Sequence, residues 1–250
     1  MKGIENKVAL VTGAASGIGK ATAIRLGALN AKVMVTDLNE QGALETVNAI
    51  ETAGGYAKYF HLDVSKKEEI DRVISQIFSD EKALDFAINN AGIGGKLGPM
   101  HEVKPEDWDR MMAINLSGLF YCMQAQIKYM LQQGSGGIVN ISSVAGLNGV
   151  ALGSPYSAAK HGVIGLSKSA AQEYGSRNIR VNTVCPGFTQ TEIIEGVPDK
   201  VLDFTTKFRV PMRRLGQPEE IASAIIWLLS EESSFVNGHS MILDGGYETS

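Results

Sequence analysis

Val8-Ala9-Leu10-Val11-Thr12-Gly13-Ala14-Ala15-Ser16-Gly17-Ile18-Gly19 passes from a short apolar, β-branched run into a glycine-punctuated turn. The run has the composition of a buried strand, and apolar positions recur at helical spacing from Ile18 to Leu29. A strand that turns sharply into a helix leaves the N–H groups of the first helical turn without intrahelical partners. Glycines at 13, 17 and 19 let the backbone turn tightly and let an anion approach those groups. The segment therefore reads as a pyrophosphate-binding strand, turn and helix. The glycine spacing alone arises by chance about 0.35 times in a chain of this composition, so its weight depends on what surrounds it.

Outward from this unit the same rhythm continues. Strands are expected at Val8–Val11, Lys32–Thr36, Ala57–His61, Phe86–Asn89, Gly137–Ile141, Arg180–Val184 and Met241–Leu243. Helices are expected near Ile18–Leu29, Glu40–Ala53, Lys66–Phe78, Pro105–Leu131, Ser154–Tyr174 and Pro218–Leu229. Alternation of this kind gives an α/β fold, a doubly wound Rossmann-type seven-stranded parallel sheet with helices on both faces. No linker, repeat or shift of composition divides residues 1–250, so one domain is expected. The connection from 189 to 216 breaks the rhythm and carries Ile193, Ile194, Val197, Val201, Leu202, Phe204 and Phe208. It reads as a substrate lid, with core packing as the other reading of its apolar spacing.

Composition removes several classes of function. A net charge of −4 with scattered basic residues offers no general attraction to nucleic acid or anionic lipid. Cys122 and Cys185 form no Cys-x-x-Cys pair, and His61, His101, His161 and His239 lack ligand spacing, so neither a disulfide framework nor a metal is expected. The N-terminus shows no signal-peptide pattern and no apolar run reaches membrane-spanning length, which leads to the expectation of a cytoplasmic protein.

Two further positions bear on chemistry. Asp37 closes the second apolar run, 20 residues after Gly17, where an acid can accept hydrogen bonds from an adenosine ribose. Capping the next turn is its plainer reading. At ~4 Å and an effective dielectric of ~20, a carboxylate repels each unit of phosphate charge by roughly 4 kcal/mol, so NAD(H) is expected over NADP(H). Ser16 brings no compensating cation, and only Lys20 and Lys32 lie near in sequence. Tyr156 and Lys160 stand one helical turn apart, after a strand that ends at Ser142-Ser143. A phenol is a weak base at neutral pH, but a cation at ~6 Å stabilises the phenolate by roughly 2.8 kcal/mol, about two pH units. Lys160 is thus expected to lower the Tyr156 pKa. Chain logic does not choose between Ser142 and Ser143. A serine hydrolase is disfavoured, because no Gly-x-Ser-x-Gly elbow surrounds Ser143.

His61-Leu62-Asp63-Val64, Asn89-Asn90-Ala91-Gly92, Ser142-Ser143 with Tyr156-Ser157-Ala158-Ala159-Lys160, Pro186-Gly187 and the closing Leu243-Asp244-Gly245-Gly246 share one further property. With the glycine turn, they make nearly the whole chain resemble the short-chain dehydrogenase/reductase family. The resemblance implies a catalytic set of Asn115, Ser143, Tyr156 and Lys160, with Asn115 in a proton relay. It implies dinucleotide contacts from Gly13, Ser16, Gly17, Ile18, Gly19, Asp37 and Leu38. Asp63 and Val64 would meet the adenine, and Asn90, Ala91 and Gly92 would border the adenosine and nicotinamide. Pro186, Gly187, Phe188, Thr189 and Thr191 would hold the carboxamide and diphosphate, while Tyr156 and Lys160 also touch the cofactor. A homotetramer is implied as well. On the residues alone, Asp63 reads equally as a helix cap, Asn90 as a turn former and Asn115 as an exposed or kinking polar residue.

The leading expectation is an NAD(H)-dependent carbonyl reductase or secondary-alcohol dehydrogenase acting on a medium-sized, largely apolar ketone or alcohol. A 3-oxoacyl-carrier-protein reductase and a non-catalytic NAD(H)-binding module are the alternatives.

Overall fold

Each of the seven apolar runs becomes a strand, because both faces of every central strand are covered and the β-branched residues find apolar partners on either side. In the computed structural model, which describes residues 1–194 and 197–249, the chain begins β1 (Val8–Thr12), α1 (Gly17–Ala28), β2 (Lys32–Asp37), α2 (Glu40–Thr52), β3 (Tyr56–His61), α3 (Lys67–Glu81) and β4 (Phe86–Asn89). It continues with α4 (Pro105–Met112), α5 (Leu119–Gln133), β5 (Gly136–Ile141), α6 (Ser154–Tyr174), β6 (Ile179–Pro186), α7 (Asp199–Phe208), α8 (Pro218–Leu229) and β7 (Ser240–Leu243). The strands lie in the order β3-β2-β1-β4-β5-β6-β7, and all six pairings are parallel. The chain moves outward from β1 to β3, returns beside β1 at β4, and moves outward the other way. That reversal opens a crevice beyond the carboxyl ends of β1 and β4, where open α/β sheets bind ligands.

Alternate residues of β1 divide the core. Ala9 and Val11 join Leu26 of α1, Ile50 of α2 and Ile225 of α8 on one face. Val8 and Leu10 join Ile74 of α3, Met130 of α5 and Val163 of α6 on the other.

Two segments differ from expectation. The single helix expected over Pro105–Leu131 is interrupted by a π-helical turn at Ala113–Gly118. Gly118 there sits so close to the Val64 carbonyl oxygen that no Cβ would fit, and backbone dihedrals stay in the helical region on both sides. Hydrophobic spacing continues through such a turn and does not reveal it. The second difference is α7, a ten-residue helix inside the expected lid. Thr205 is buried and Leu202 and Thr206 are half-buried, while Val201, Phe204 and Phe208 are 49%, 59% and 63% exposed. The core-packing reading of these three residues does not hold. Within the 189–216 span, positions 195 and 196 lie outside the described residues.

The outer edge of the sheet carries a compact ion cluster. Glu81, at the end of α3, accepts from Lys58 Nζ at 2.8 Å, Tyr56 Oη at 2.9 Å and Lys32 Nζ at 3.1 Å. Burial opposes its charge, but the three donors outweigh burial and bring its carboxyl down to about 2 from 4.5. A depressed folded pKa stabilises the fold fully above the unfolded value and loses that contribution as pH falls through the folded one. Both lysines keep over 40% side-chain exposure, so solvent screening discounts the full shift. Glu81→Gln should destabilise the protein by about 1–2 kcal/mol in urea titrations at pH 7. The gap to wild type should close as pH falls from 4.5 toward 2; an equal gap at pH 7 and pH 3 would assign it to packing instead.

Candidate active site

The glycine turn is held by strand ends on either side. Gly13 and Gly17 take positive φ of 65° and 52°. A Cβ on Gly19 would fall on the Gly13 carbonyl oxygen and 2.6 Å from Asn90 Nδ2. Ser16 is the N-cap of α1 but makes no side-chain cap bond, and the first turn contains no acid. The N–H groups of Gly17, Ile18 and Gly19 are therefore neither capped by Ser16 nor repelled by a neighbouring carboxylate, which suits an anion. Thr12, given no role by sequence reasoning, joins this turn to the one after β4. Its hydroxyl accepts from Asn90 N at 3.0 Å and Ala91 N at 3.1 Å. Asn90 Nδ2 returns bonds to the carbonyls of Thr12 at 3.0 Å and Gly13 at 2.9 Å. A threonine closing a buried strand just before the first glycine was the available signal.

Asp37 bonds both its own turn and the glycine turn. One carboxylate oxygen accepts from Asn39 N within its own turn, and the other accepts from Ala15 N of the glycine turn, both at 2.9 Å. The carboxylate thus stands beside the cradle with lone pairs to spare. Leu38 next to it is exposed. Neither nearby lysine offsets the charge: Lys20 pairs with Glu45 at 3.6 Å, and Lys32 pairs with Glu81 at the opposite end of β2. Asp63 is bonded to Ser65 N at 2.9 Å and Ser65 Oγ at 2.7 Å, with Lys66 at 3.5 Å. It shapes the entry to α3, while Val64 is buried beside Gly118.

At the end of β5 the two serines separate. Ser142 is buried, and its hydroxyl donates to the Lys160 carbonyl at 2.8 Å. Ser143 caps a short 3₁₀ turn, with its Oγ accepting from Ala145 N at 3.1 Å, and its side chain lies close enough to Tyr156 to draw the phenol pKa down. Lys160, 5% exposed, donates from Nζ to the Ile141 carbonyl at 2.8 Å. The same ammonium stands 5.6 Å from the centre of the Tyr156 ring. Burial lowers the Lys160 pKa to about 8 from 10.5. Burial also raises the Tyr156 phenol above its ordinary 10, against a smaller pull downward from Ser143. The expected lowering by Lys160 is thus not what the chain alone produces, because desolvation sets the direction of the shift.

Asn115 occupies the π turn, buried, with its amide fully engaged. Its Oδ1 accepts from Ile93 N and its Nδ2 donates to Ile93 O and Met111 Sδ, each at 2.8 Å. A Cβ on Gly92 would lie 2.9 Å from Asn115 Oδ1 and 3.7 Å from Lys160 Nζ, so Asn115 pins the loop after β4 beside the ammonium. These side-chain contacts clamp the loop.

Beyond β6, Gly187 N donates to Leu243 O at 2.9 Å, which seats Pro186 and Gly187 on β7. Phe188 packs edge-on against Tyr247 with ring centres 5.5 Å apart. Thr189 is buried and Thr191 lies over the glycine turn, its Cγ2 3.1 Å from where a Gly17 Cβ would be. Leu97, Met100, Val150, Leu152 and Ile193 are exposed on the loops that leave β4, β5 and β6. Leu152 is held at a φ of 65°, a costly conformation for a branched residue. Gly98 N bonds its carbonyl at 2.8 Å, and Asn148 on the same loop bonds Glu248 near the C-terminus.

A glycine cradle at the switch point, an acid at the next strand end and a serine, tyrosine and lysine cluster together define a dinucleotide-dependent oxidoreductase. A family model described as enoyl-(acyl carrier protein) reductase matches residues 13–248. The chain is 41% identical to a cyclohexanol dehydrogenase of Acinetobacter sp. (strain SE19), covering 97% of this chain and 95% of that one. It is 40% identical to the 3-oxoacyl-[acyl-carrier-protein] reductase FabG of Thermotoga maritima, covering 97% and 98%. Among solved structures, levodione reductase superposes with a TM-score of 0.95 at 34% identity, over 98% of this chain and 99% of that one. A chain described as a candidate 2-deoxy-D-gluconate 3-dehydrogenase from Agrobacterium tumefaciens, with bound NADP, superposes with a TM-score of 0.91 at 33% identity over 98% of each. The protein belongs to the short-chain dehydrogenase/reductase family, whose members bind a nicotinamide cofactor and act on CH–OH and C=O groups. The non-catalytic alternative is set aside. Among the described residues no helix is long and apolar enough to cross a membrane, and no cluster of potential metal ligands occurs.

Gly19→Ala tests the cradle. The added methyl displaces the Gly13 carbonyl and the Asn90 amide, so nicotinamide-cofactor affinity should fall at least about tenfold with far-UV circular dichroism unchanged. Wild-type affinity in a folded variant would contradict this placement.

Proposed function

We propose that the enzyme is an NAD(H)-dependent carbonyl reductase and secondary-alcohol dehydrogenase acting on a medium-sized, largely apolar substrate. The observation that carries this reading is the buried Lys160 ammonium, bonded to the Ile141 carbonyl and 5.6 Å from the centre of the Tyr156 ring, with Ser143 close enough to draw the phenol pKa down. The glycine cradle and its uncapped helix start fit a pyrophosphate, and Asp37, which forms no salt bridge among the described residues, favours an unphosphorylated ribose. Gly13, Ser16, Gly17, Ile18, Gly19, Asp37 and Leu38 would hold the adenosine and diphosphate. Asp63, Val64, Asn90, Ala91 and Gly92 would border the adenine and ribose, and Pro186, Gly187, Phe188, Thr189 and Thr191 the nicotinamide end. When bound, the cofactor supplies or accepts the hydride and, when oxidised, adds a positive charge.

The chain's own groups handle the oxygen and its proton. Ser143 Oγ donates a hydrogen bond to the substrate oxygen, where negative charge develops during reduction, and Tyr156 Oη delivers the proton to that oxygen. In oxidation Tyr156 takes the proton back, which requires its raised pKa to fall. Lys160 contributes charge toward that change and a donor to the nicotinamide ribose. Asn115 holds the loop after β4 against Lys160.

The exposed apolar side chains of Ile193, Val201, Phe204 and Phe208, on the expected lid, suit a nonpolar substrate. The cyclohexanol dehydrogenase relative supports an alicyclic one. A second reading, reduction of a carrier-bound 3-oxoacyl group, is favoured by the similarity to FabG and by exposed Lys207 and Arg213 near α7. Asp37 and the net charge of −4 weigh against it. For assembly we propose a homotetramer, supported by an apolar groove between α5 and α6 around Leu116, Phe120 and Leu166, and by the fully exposed Phe235 near β7.

Cyclohexanone, a carrier-bound 3-oxoacyl thioester, NADH and NADPH in matched assays test the reading. NADH with cyclohexanone should be the preferred pair; preference for NADPH would displace Asp37 from the ribose. Tyr156→Phe should lower turnover by about 10³-fold with folding and NADH binding intact, and Ser143→Ala by about 10²- to 10³-fold. A folded, NADH-binding Tyr156→Phe protein that keeps a tenth of wild-type turnover would refute the mechanism.

A further inference from the structure

Four polar side chains that the chemistry does not use lie wholly inside the protein, one on each of four elements. Asn89 of β4 and Gln126 of α5 form a reciprocal amide pair: Asn89 Nδ2 donates to Gln126 Oε1 at 3.0 Å, and Gln126 Nε2 donates to Asn89 Oδ1 at 2.8 Å. Asn89 Nδ2 also donates to Asn140 Oδ1 of β5 at 2.8 Å. Asn140 Nδ2 donates to Ser167 Oγ of α6 at 2.8 Å, and Ser167 Oγ donates to the Val163 carbonyl at 2.7 Å. None of the four is more than 3% exposed. Every amide donor of the chain meets an acceptor. Turning either end amide sets donor against donor, and an unpaired buried amide is costly.

This chain meets the site at both helices. Ser167 follows Lys160 by seven residues, two turns along the same face of α6. Three successive residues at the end of β5 and just beyond it bond that helix: Asn140 to Ser167, the Ile141 carbonyl to Lys160 Nζ, and Ser142 to the Lys160 carbonyl. On α5, Gln126 follows Asn115 by eleven residues, about three turns, and Asn115 clamps Ile93 in the loop after β4. Asn89 immediately precedes Asn90, which is fixed to Thr12 and Gly13. Leucine and methionine contacts allow a helix to slide by a fraction of its 1.5 Å rise, whereas these directional bonds do not.

We propose that Asn89, Gln126, Asn140 and Ser167 are positioning residues whose buried hydrogen-bond chain sets the axial register of α5 and α6 on β4 and β5, and so places Asn115 and Lys160. The catalytic part of this inference rests on the roles proposed for Tyr156 and Lys160; the geometric part does not. Ser167→Ala removes the hydroxyl that receives Asn140, and Ser167→Thr retains it. Gln126→Met removes the reciprocal pair at similar volume and serves if the alanine variant does not fold.

Two measurements on the full-length protein separate the cases. The first is the titration of Lys160, followed by NMR on protein labelled at lysine Cε and assigned with Lys160→Met. Ser167→Ala should move the Lys160 titration measurably from its wild-type position, and Ser167→Thr should restore it. The second is the pH dependence of cyclohexanol oxidation. Ser167→Ala should lower kcat about tenfold, displace the pH profile and change the KM for NAD⁺ less than threefold. A lower Tm with unchanged Lys160 titration and unchanged pH profile would overturn the proposal and leave the network as packing alone. A displaced Lys160 titration with unchanged kinetics would uphold the geometric part and place the failure in the catalytic reading of Lys160.

Discussion

A lysine ammonium held in the protein interior without a carboxylate partner is the constraint on which the site depends. Lys160 forms no salt bridge among the described residues, and its one direct bond is to a main-chain carbonyl, Ile141 O. Burial makes its charge expensive and brings its pKa down to about 8, close enough to neutrality for the group to remain mostly protonated. The surrounding structure must therefore keep that carbonyl, the helix that carries the lysine and the tyrosine ring in fixed relation. The end of β5, the first turns of α6 and the π turn before α5 all serve that requirement. In the proposed mechanism, the positive charge they preserve helps to stabilise a deprotonated phenol.

The sheet was legible because its signal is redundant. Each central strand buries both faces, so its β-branched run stands out, and the glycine turn after β1 and the acid after β2 fall at intervals fixed by strand and helix lengths. Tyr156 and Lys160 were legible for the same reason, since one turn of helix sets their separation. The choice between Ser142 and Ser143 was not, because adjacent strand-end residues point to opposite sides and sequence carries no absolute phase at a strand end. The π turn at Ala113–Gly118 was hidden because one extra residue in a turn leaves the hydrophobic spacing nearly unchanged. The helix α7 was hidden because its apolar residues face outward, so the usual link between apolar spacing and burial fails there.

The buried polar chain was illegible for a more general reason. Gln126 and Ser167 on amphipathic helices look like solvent-facing residues, and Asn89 and Asn140 look like strand-end polar groups. Only the packing of four elements shows that each bonds the next. Thr12 is a smaller case: a hydroxyl at the end of an apolar strand that becomes the hinge pin between two loops. Residues of this kind place the reacting groups without touching them, and motif reading passes over them because their partners are distant in sequence.

In the chain alone the Tyr156 phenol is pushed upward by burial and the Lys160 charge does not reverse that. The proposed mechanism of alcohol oxidation at neutral pH needs the phenolate to be accessible, and so requires a more acidic phenol in the cofactor-bound state. The direct measurement is the ultraviolet difference titration of Tyr156, isolated by subtracting Tyr156→Phe, with and without saturating NAD⁺. The phenol should titrate above 10 in the free protein and well below that with NAD⁺ bound. Identical titrations in the two states would contradict the assignment of Tyr156 as the acid and base.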